Sequence, residues 1–284
     1  MATLEEPPVR EDPDPAPPFP WYAPFLTGIA IYLGLGILVA VVGVAAGWDT
    51  GDIPDRFVLF ATLLQDLALI GGAYLIARAT SKQPVWDLGL RRIRFGKPLL
   101  QAFAVFVAFF AFLLLWQAVL DVSQKDDLAQ ELGARDSSLN LVLVAVLVGI
   151  VAPIAEELFF RGFLFGALRG AIGWVAGAVV TGLVFGLIHA GGTDAVFLVP
   201  LGVLGFLLCV LYRRTGSLLP GLGVHAFNNA LALAATLHWA AWQGLIAVVA
   251  APAIVVAIAA AAGVSRPSAP APTVPAGWLP PRAP

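Results

Sequence analysis

Charged residues are scarce in this chain of 284 residues, because Asp, Glu, Lys and Arg together make up only 12% of it. Hydrophobic residues make up 60%, which lies outside the usual composition of soluble domains. Lipid is therefore the expected surrounding of most of the chain, and the lipid bilayer its first expected partner. The net charge of -2 supplies no excess of basic residues for phosphate contacts, so a nucleic-acid partner is not expected.

Cysteine is almost absent. Cys209 is the only one, which excludes an intrachain disulfide and any cluster of cysteine ligands around a metal. Short segments of alternating apolar and polar residues, typical of transmembrane barrels, are also missing. Because only helices and closed barrels satisfy their backbone hydrogen bonds in lipid, the continuous apolar runs predict an all-α structure.

The apolar runs predict a polytopic transmembrane helix bundle of about eight spans. We place the spans at residues 22–47, 57–79, 99–122, 139–168, 174–190, 196–212, 218–237 and 239–263. Residues 1–20 are acidic and Pro-rich and residues 264–284 are rich in Pro and Ala, so both are predicted to be disordered tails. Between them, residues 21–137 form the N-terminal transmembrane helices, 138–238 form a core, and 239–263 form the last helix.

Basic residues predict the orientation. They concentrate in the connection after the second span, at Arg78, Lys82, Arg91, Arg92, Arg94 and Lys97. Short loops rich in Lys and Arg stay on the cytoplasmic side. With eight spans, both termini are then cytoplasmic in a multi-pass protein of the cell membrane, and the acidic stretch 121–136 lies on the opposite side.

Charged side chains also occur inside the apolar runs, where each costs about 2.5–3.5 kcal/mol on insertion and so needs a partner or a function. The densest group is AEELFFRG, residues 155–162, which contains Glu156, Glu157 and Arg161. On a helix Glu157 and Arg161 face each other and predict an ion pair. Glu156 points about 100° away and would be free to accept a proton. Alternatively, all three form one polar cluster that holds helices together.

Two further polar motifs follow. VFGLIHA places Phe185 and His189 four residues apart, and HAFNN places His225 and Asn229 four apart with Asn228 slightly rotated from them. An imidazole and an amide on one helix face can both donate hydrogen bonds to one carbonyl. The alternative is hydrogen bonding between helices. We favour a shared polar cavity, because a base candidate, two imidazoles and an amide come from three different spans.

Taken in order, EExxxR (156–161), FxxxH (185–189) and HxxxN (225–229) resemble the CPBP family of intramembrane proteases. That family includes type II CAAX prenyl endopeptidases and bacterial proteins linked to bacteriocin processing and self-immunity. The resemblance covers about residues 139–237 and makes 138–238 a CPBP-like catalytic core.

The resemblance implies an intramembrane endopeptidase whose substrate is a membrane-associated peptide or a lipidated, CAAX-type protein. In that mechanism Glu156, with His189, activates a water, while His225 and Asn229 stabilise the oxyanion. Supporting roles fall to Glu157, Arg161, Phe185 and Asn228.

Metal use is left open by the sequence. Family members are often named metalloproteases. Glu156, His189 and His225 are of the residue types that bind zinc, so the cofactor is Zn²⁺ or none. No HExxH motif occurs. Asp66, beside Gln65, is the only aspartate well inside an apolar run, so a pair of membrane aspartates is also missing. Asp66 could hydrogen-bond a partner in the bundle or line the cavity, and we favour the structural role.

A non-enzymatic protein remains the alternative, namely an immunity or scaffold protein that uses the polar cluster for packing or partner binding. A transporter is disfavoured, because we detect neither an inverted repeat nor paired broken helices. The oligomeric state is left open. One difficulty is that straight spans would offset Glu156 and His189 by about 15 Å along the membrane normal, so we expect a bend at Pro153 or a fifth span that starts deeper.

Overall fold

The computed structural model describes residues 16–48, 53–94, 96–120, 133–134, 137–190 and 193–263. Helices account for most of these residues, and no strand occurs among them. In chain order they are α1 Ala23–Ala46, α2 Asp55–Thr80, α3 Pro84–Asp87, α4 Gly96–Leu120, α5 Ser138–Ile172, α6 Trp174–Leu187, α7 Ala195–Thr215, α8 Leu219–Thr236 and α9 Ala241–Ala262. The predicted all-α polytopic bundle is confirmed.

Six of these helices are long and apolar enough to cross a membrane, namely α1, α2, α4, α5, α7 and α9. The fifth and seventh predicted spans correspond to α6 and α8, which fall outside those six. α6 has 14 residues, so it is about 21 Å long at 1.5 Å per residue, less than the roughly 30 Å of a hydrocarbon core. α6 is therefore too short to cross the hydrocarbon core by itself.

α5 departs from a regular helix in two places. π-Helical stretches occur at Leu147–Val151 and Glu157–Phe165, on either side of an α-helical turn that contains Pro153. In a π-helix each N–H bonds the carbonyl five residues earlier, and such stretches are frequent at functional sites. The second stretch is buried throughout, so α5 forms the centre of the bundle.

One end of the bundle gathers several connections. The N–H of Leu218 donates to the carbonyl of Gly89 at 2.9 Å, and Ser217 Oγ donates to the carbonyl of Arg91 at 2.7 Å. Arg92 donates to the carbonyl of Ala260 at 3.1 Å. These three bonds bring together the connection between α2 and α4, the loop after α7 and the end of α9, as the orientation prediction requires. We call this the basic end, and its facing the cytoplasm stays a prediction.

The predicted tails lie largely outside the described residues, as does most of the acidic stretch 121–136. Residues 16–20, the last part of the first tail, are described. Phe19 is buried there, and its ring meets that of Phe163 edge-on with centroids 5.4 Å apart. For residues 1–15 and 264–284 the disordered tails stay a prediction.

Candidate active site

A cavity of about 270 Å³ lies between α1, α2, α5, α8 and the end of α6. Its lining includes all four residues that the sequence predicted to be catalytic, Glu156, His189, His225 and Asn229. The α8 residues in the lining run from His225 to Thr236, the half of α8 remote from the basic end. Side chains of α5 and α8 and the residue that follows α6 closely thus meet in one polar cavity, as the three motifs predicted.

Glu157 forms the base of this site. Its Oε1 lies 2.8 Å from Arg161 Nη1 in an ion pair and accepts a hydrogen bond from His225 Nδ1 at 2.8 Å. The predicted ion pair between Glu157 and Arg161 is present, whereas the contact with His225 was not predicted. Because a carboxylate can only accept, Nδ1 carries the hydrogen. His225 Nε2 is then the nitrogen directed at Glu156, whose Oε2 lies 3.7 Å from it.

Arg161 is fully buried and is stabilised from three sides. Besides the Glu157 carboxylate, its Nη2 donates to the carbonyl of Gly205 at 3.4 Å. Its guanidinium carbon lies 4.3 Å from the ring centroid of Phe185, a cation–π geometry. A buried charge is tolerated when such partners surround it, so Arg161 holds the Glu157 carboxylate in place beneath His225.

Phe185 contacts both imidazoles. The centroid of its ring lies 5.1 Å from that of His189 and 5.8 Å from that of His225. Its carbonyl accepts from His189 Nδ1 at 2.7 Å, which leaves His189 Nε2 as the nitrogen without this bond. The predicted offset of about 15 Å along the membrane normal does not keep Glu156 and His189 apart, because both line one cavity, and α6 ends before His189, at Leu187.

Asn229 bonds to the irregular part of α5. Its Nδ2 donates to the carbonyl of Val148 at 3.0 Å, and its Oδ1 accepts from Asn228 Nδ2 at 3.4 Å. In the π-helical register the carbonyl of Val148 would bond the N–H of residue 153, but Pro153 has none. Asn229 therefore satisfies this carbonyl with one amide hydrogen and has a second one for a ligand.

The residues do not fit a zinc ion. Zinc sites in proteins take three or four His, Cys, Asp or Glu ligands at about 2.0–2.3 Å. Within the part of the chain that the structure describes, no group of three or more such side chains is close enough to hold a metal. The ligand set Glu156, His189 and His225 is thus not supported, and no reaction step is assigned to a metal.

Part of the lining comes from α1 and α2, which contributed no residue to the predicted site. Tyr32 on α1 and Gln65 and Asp66 on α2 also line the cavity. The sequence left two places open for Asp66, a hydrogen bond within the bundle or the cavity lining, and the structure places it in the lining. Asp66 could have been singled out from the sequence, since it is the only aspartate well inside an apolar run. Tyr32 could not, because a tyrosine within a span is too common.

Fold and site together define an integral membrane protein of helical type with an acid, two imidazoles and an amide around a buried cavity. Residues 138–231 match the family model described as Type II CAAX prenyl endopeptidase Rce1-like. This match spans about a third of the chain, from the start of α5 into α8, and confirms the resemblance that the three motifs predicted. It implies peptidase activity in general. No curated protein and no solved structure gave a match.

Proposed function

We propose that the protein is an intramembrane endopeptidase that hydrolyses a peptide bond in a membrane-associated or CAAX-type substrate. The observation that carries this proposal is the convergence on one cavity of Glu156, His189, His225 and Asn229, with 3.7 Å between Glu156 Oε2 and His225 Nε2. The family match supports the reaction class.

In the proposed reaction, Glu156, assisted by His189 Nε2, takes a proton from a water whose oxygen attacks the scissile carbonyl carbon. The carbonyl oxygen becomes an oxyanion, which accepts hydrogen bonds from His225 Nε2 and from the second amide hydrogen of Asn229. To donate from Nε2, His225 carries hydrogens on both nitrogens, and Glu157 accepts the one on Nδ1. When the C–N bond breaks, the proton held by Glu156 passes to the leaving amine.

The substrate class follows from where the site lies. The cavity is lined in part by α1, α2 and α5, which are long and apolar enough to cross a membrane, so we expect a substrate to reach it from the lipid or from the end of the bundle remote from the basic end. A peptide anchored in the bilayer by its own apolar segment or by a lipid meets that requirement. Prenylation of the substrate is a proposal that rests on the family description.

The test compares wild type with Glu156→Gln in two assays. In cells, a comparison of the termini of all membrane proteins should show uncleaved species that appear only with Glu156→Gln. In phosphatidylcholine vesicles, the purified chain should cleave a farnesylated, fluorescence-quenched peptide ending in a CAAX sequence or an unprenylated transmembrane peptide. Glu156→Gln should abolish this cleavage, and His225→Ala should lower kcat by about 100- to 1000-fold, as expected for the loss of an oxyanion donor.

The alternative, a non-enzymatic immunity or scaffold protein, makes the opposite prediction. The termini of membrane proteins would be identical in cells with wild type and in cells with Glu156→Gln, and neither peptide would be cleaved. The substitution would change only stability or partner binding. Thermal unfolding of each variant in detergent provides the control, because a cleavage defect counts only when the variant unfolds at the wild-type temperature.

A further inference from the structure

The cavity wall opposite the matched segment is formed by α1 and α2. It places Tyr32 and Asp66 in the lining together with Glu156. Asp66 is only 2% exposed, and a carboxylate in such a position needs a hydrogen-bond donor. Among the described residues, Asp66 Oδ2 has no hydrogen-bond partner. The Tyr32 hydroxyl and Glu156 Oε2 have none either.

The side chains that carry these three oxygens line the same cavity. They come from α1, α2 and α5, and each is inaccessible at the protein surface. With Asp66 and Glu156 both ionised, their carboxylate oxygens can only accept, and the hydroxyl of tyrosine can donate one hydrogen bond. The set therefore lacks one donor, because a single hydroxyl hydrogen cannot serve two carboxylates.

A water molecule supplies what is missing. It can donate one hydrogen to each carboxylate and accept the hydrogen of the Tyr32 hydroxyl, and buried waters typically make about three such bonds. A cavity of about 270 Å³ has room for this water beside a bound peptide group. With both hydrogens and one lone pair engaged, the remaining lone pair of the oxygen has a defined direction.

We propose that Asp66 and Tyr32 are positioning residues that, with Glu156, hold the attacking water. This inference rests on the proposed function and deepens it. Glu156 takes the proton, while Asp66 and Tyr32 fix the second hydrogen and the oxygen so that the free lone pair faces the scissile carbonyl. The active site then requires α1 and α2 as well as the segment 138–231 that matches the peptidase family.

The test uses the full chain in phosphatidylcholine vesicles with the farnesylated, quenched CAAX peptide as the probe. Asp66→Asn and Tyr32→Phe should each lower kcat by about 100-fold, the effect of a misplaced reactant, with KM unchanged. Asp66→Glu should recover part of the loss. The matched controls are Asp55→Asn and Tyr74→Phe, the same substitutions at positions of α2 outside the cavity lining, which should leave kcat at the wild-type value.

The failures of the two proposals are distinguishable. If Glu156→Gln abolishes cleavage while Asp66→Asn and Tyr32→Phe retain the wild-type kcat, the water-holding role is wrong and the proposed function stands. A raised KM at unchanged kcat also overturns it, because that result indicates substrate binding. If Glu156→Gln cleaves like wild type, the proposed function fails as well.

An experimental structure that resolves ordered water gives a second measurement, which needs no substrate. Water density within hydrogen-bond distance of Tyr32 Oη, Asp66 Oδ2 and Glu156 Oε2 supports the proposal. A direct hydrogen bond between Tyr32 and Asp66 with no water between them and Glu156 overturns it.

Discussion

At the scale of single residues, two adjacent glutamates have different surroundings. Glu157 is buried against Arg161 and His225, whereas Glu156 faces the cavity. Successive residues of a helix point about 100° apart, so neighbours in sequence reach different partners. We expect Glu157 to act mainly through stability and the orientation of His225, and Glu156 to act mainly through chemistry.

The substitution Glu157→Gln should destabilise the protein by about 3–5 kcal/mol, since removing one partner of a buried ion pair leaves the other charge uncompensated. Thermal unfolding in detergent measures this loss. Glu156→Gln is the matched control, because the same substitution one residue earlier leaves the ion pair intact and should unfold near the wild-type temperature. Equal destabilisation by both variants would contradict separate roles and favour a single structural cluster.

At the scale of helices, α6 approaches α7 closely through glycines. A Cβ at Gly186 would lie 2.5 Å from the carbonyl oxygen of Leu198, and a Cβ at Gly182 would lie 2.7 Å from that of Gly202. Small residues at such spacing let membrane helices approach closely. This contact fixes the end of α6 and therefore the position of His189.

Gly186→Ala should push α6 away from α7, destabilise the fold by roughly 1–3 kcal/mol and reduce cleavage through displacement of His189. Gly36→Ala on α1 is the matched control, because nothing lies within 4 Å of the added Cβ there. Unfolding temperature and kcat are measured for both. A Gly186→Ala variant that matches the control in both quantities would show that the close approach is not required.

The hydrogen bond between Asn229 and Val148 links α8 to the irregular region of α5. Asn229→Ala should cost about 1–3 kcal/mol, because the half-buried carbonyl of Val148 loses its partner. In a Pro153→Ala background the restored N–H of residue 153 can bond that carbonyl, so the same substitution should cost less. A double-mutant cycle on unfolding free energies tests this, and additive costs would contradict the role of Pro153.

At the scale of the whole molecule, the cavity lies in the half of the bundle remote from the basic end. Arg94 lies in the connection between α2 and α4, at the basic end. Thr193 lines the cavity and Ala240 precedes α9, and both lie at the opposite end. Cys209 is buried and is the only cysteine. The chain is therefore suited to labelling with introduced cysteines.

In a Cys209→Ala background, Thr193→Cys and Ala240→Cys should react with a membrane-impermeant maleimide from one side, and Arg94→Cys from the other. The positive-inside rule further predicts that Arg94→Cys is the one labelled from the cytoplasm. Labelling of Thr193→Cys and Arg94→Cys from the same side would contradict the architecture. Reversed labelling of all three would contradict only the predicted orientation.

Much of this architecture could be predicted from the amino-acid sequence. Composition excluded a soluble protein, because polar surface is needed where water is the solvent, and the apolar runs located the helices to within a few residues. Contacts between residues of one helix could also be predicted from the sequence. The pairing of Glu157 with Arg161 follows from a spacing of four residues alone, and the motifs predicted four of the residues that line the cavity.

Contacts between helices were decided only by the tertiary structure. Nothing in the local pattern says that His225 bonds Glu157 rather than Glu156, that Asn229 bonds Val148, or that Tyr32 and Asp66 face the same cavity as Glu156. These depend on the depth and rotation of each helix, which the π-helical stretches of α5 and the early end of α6 alter. Sequence periodicity determines which face a helix buries, whereas packing determines which residues of other helices meet that face.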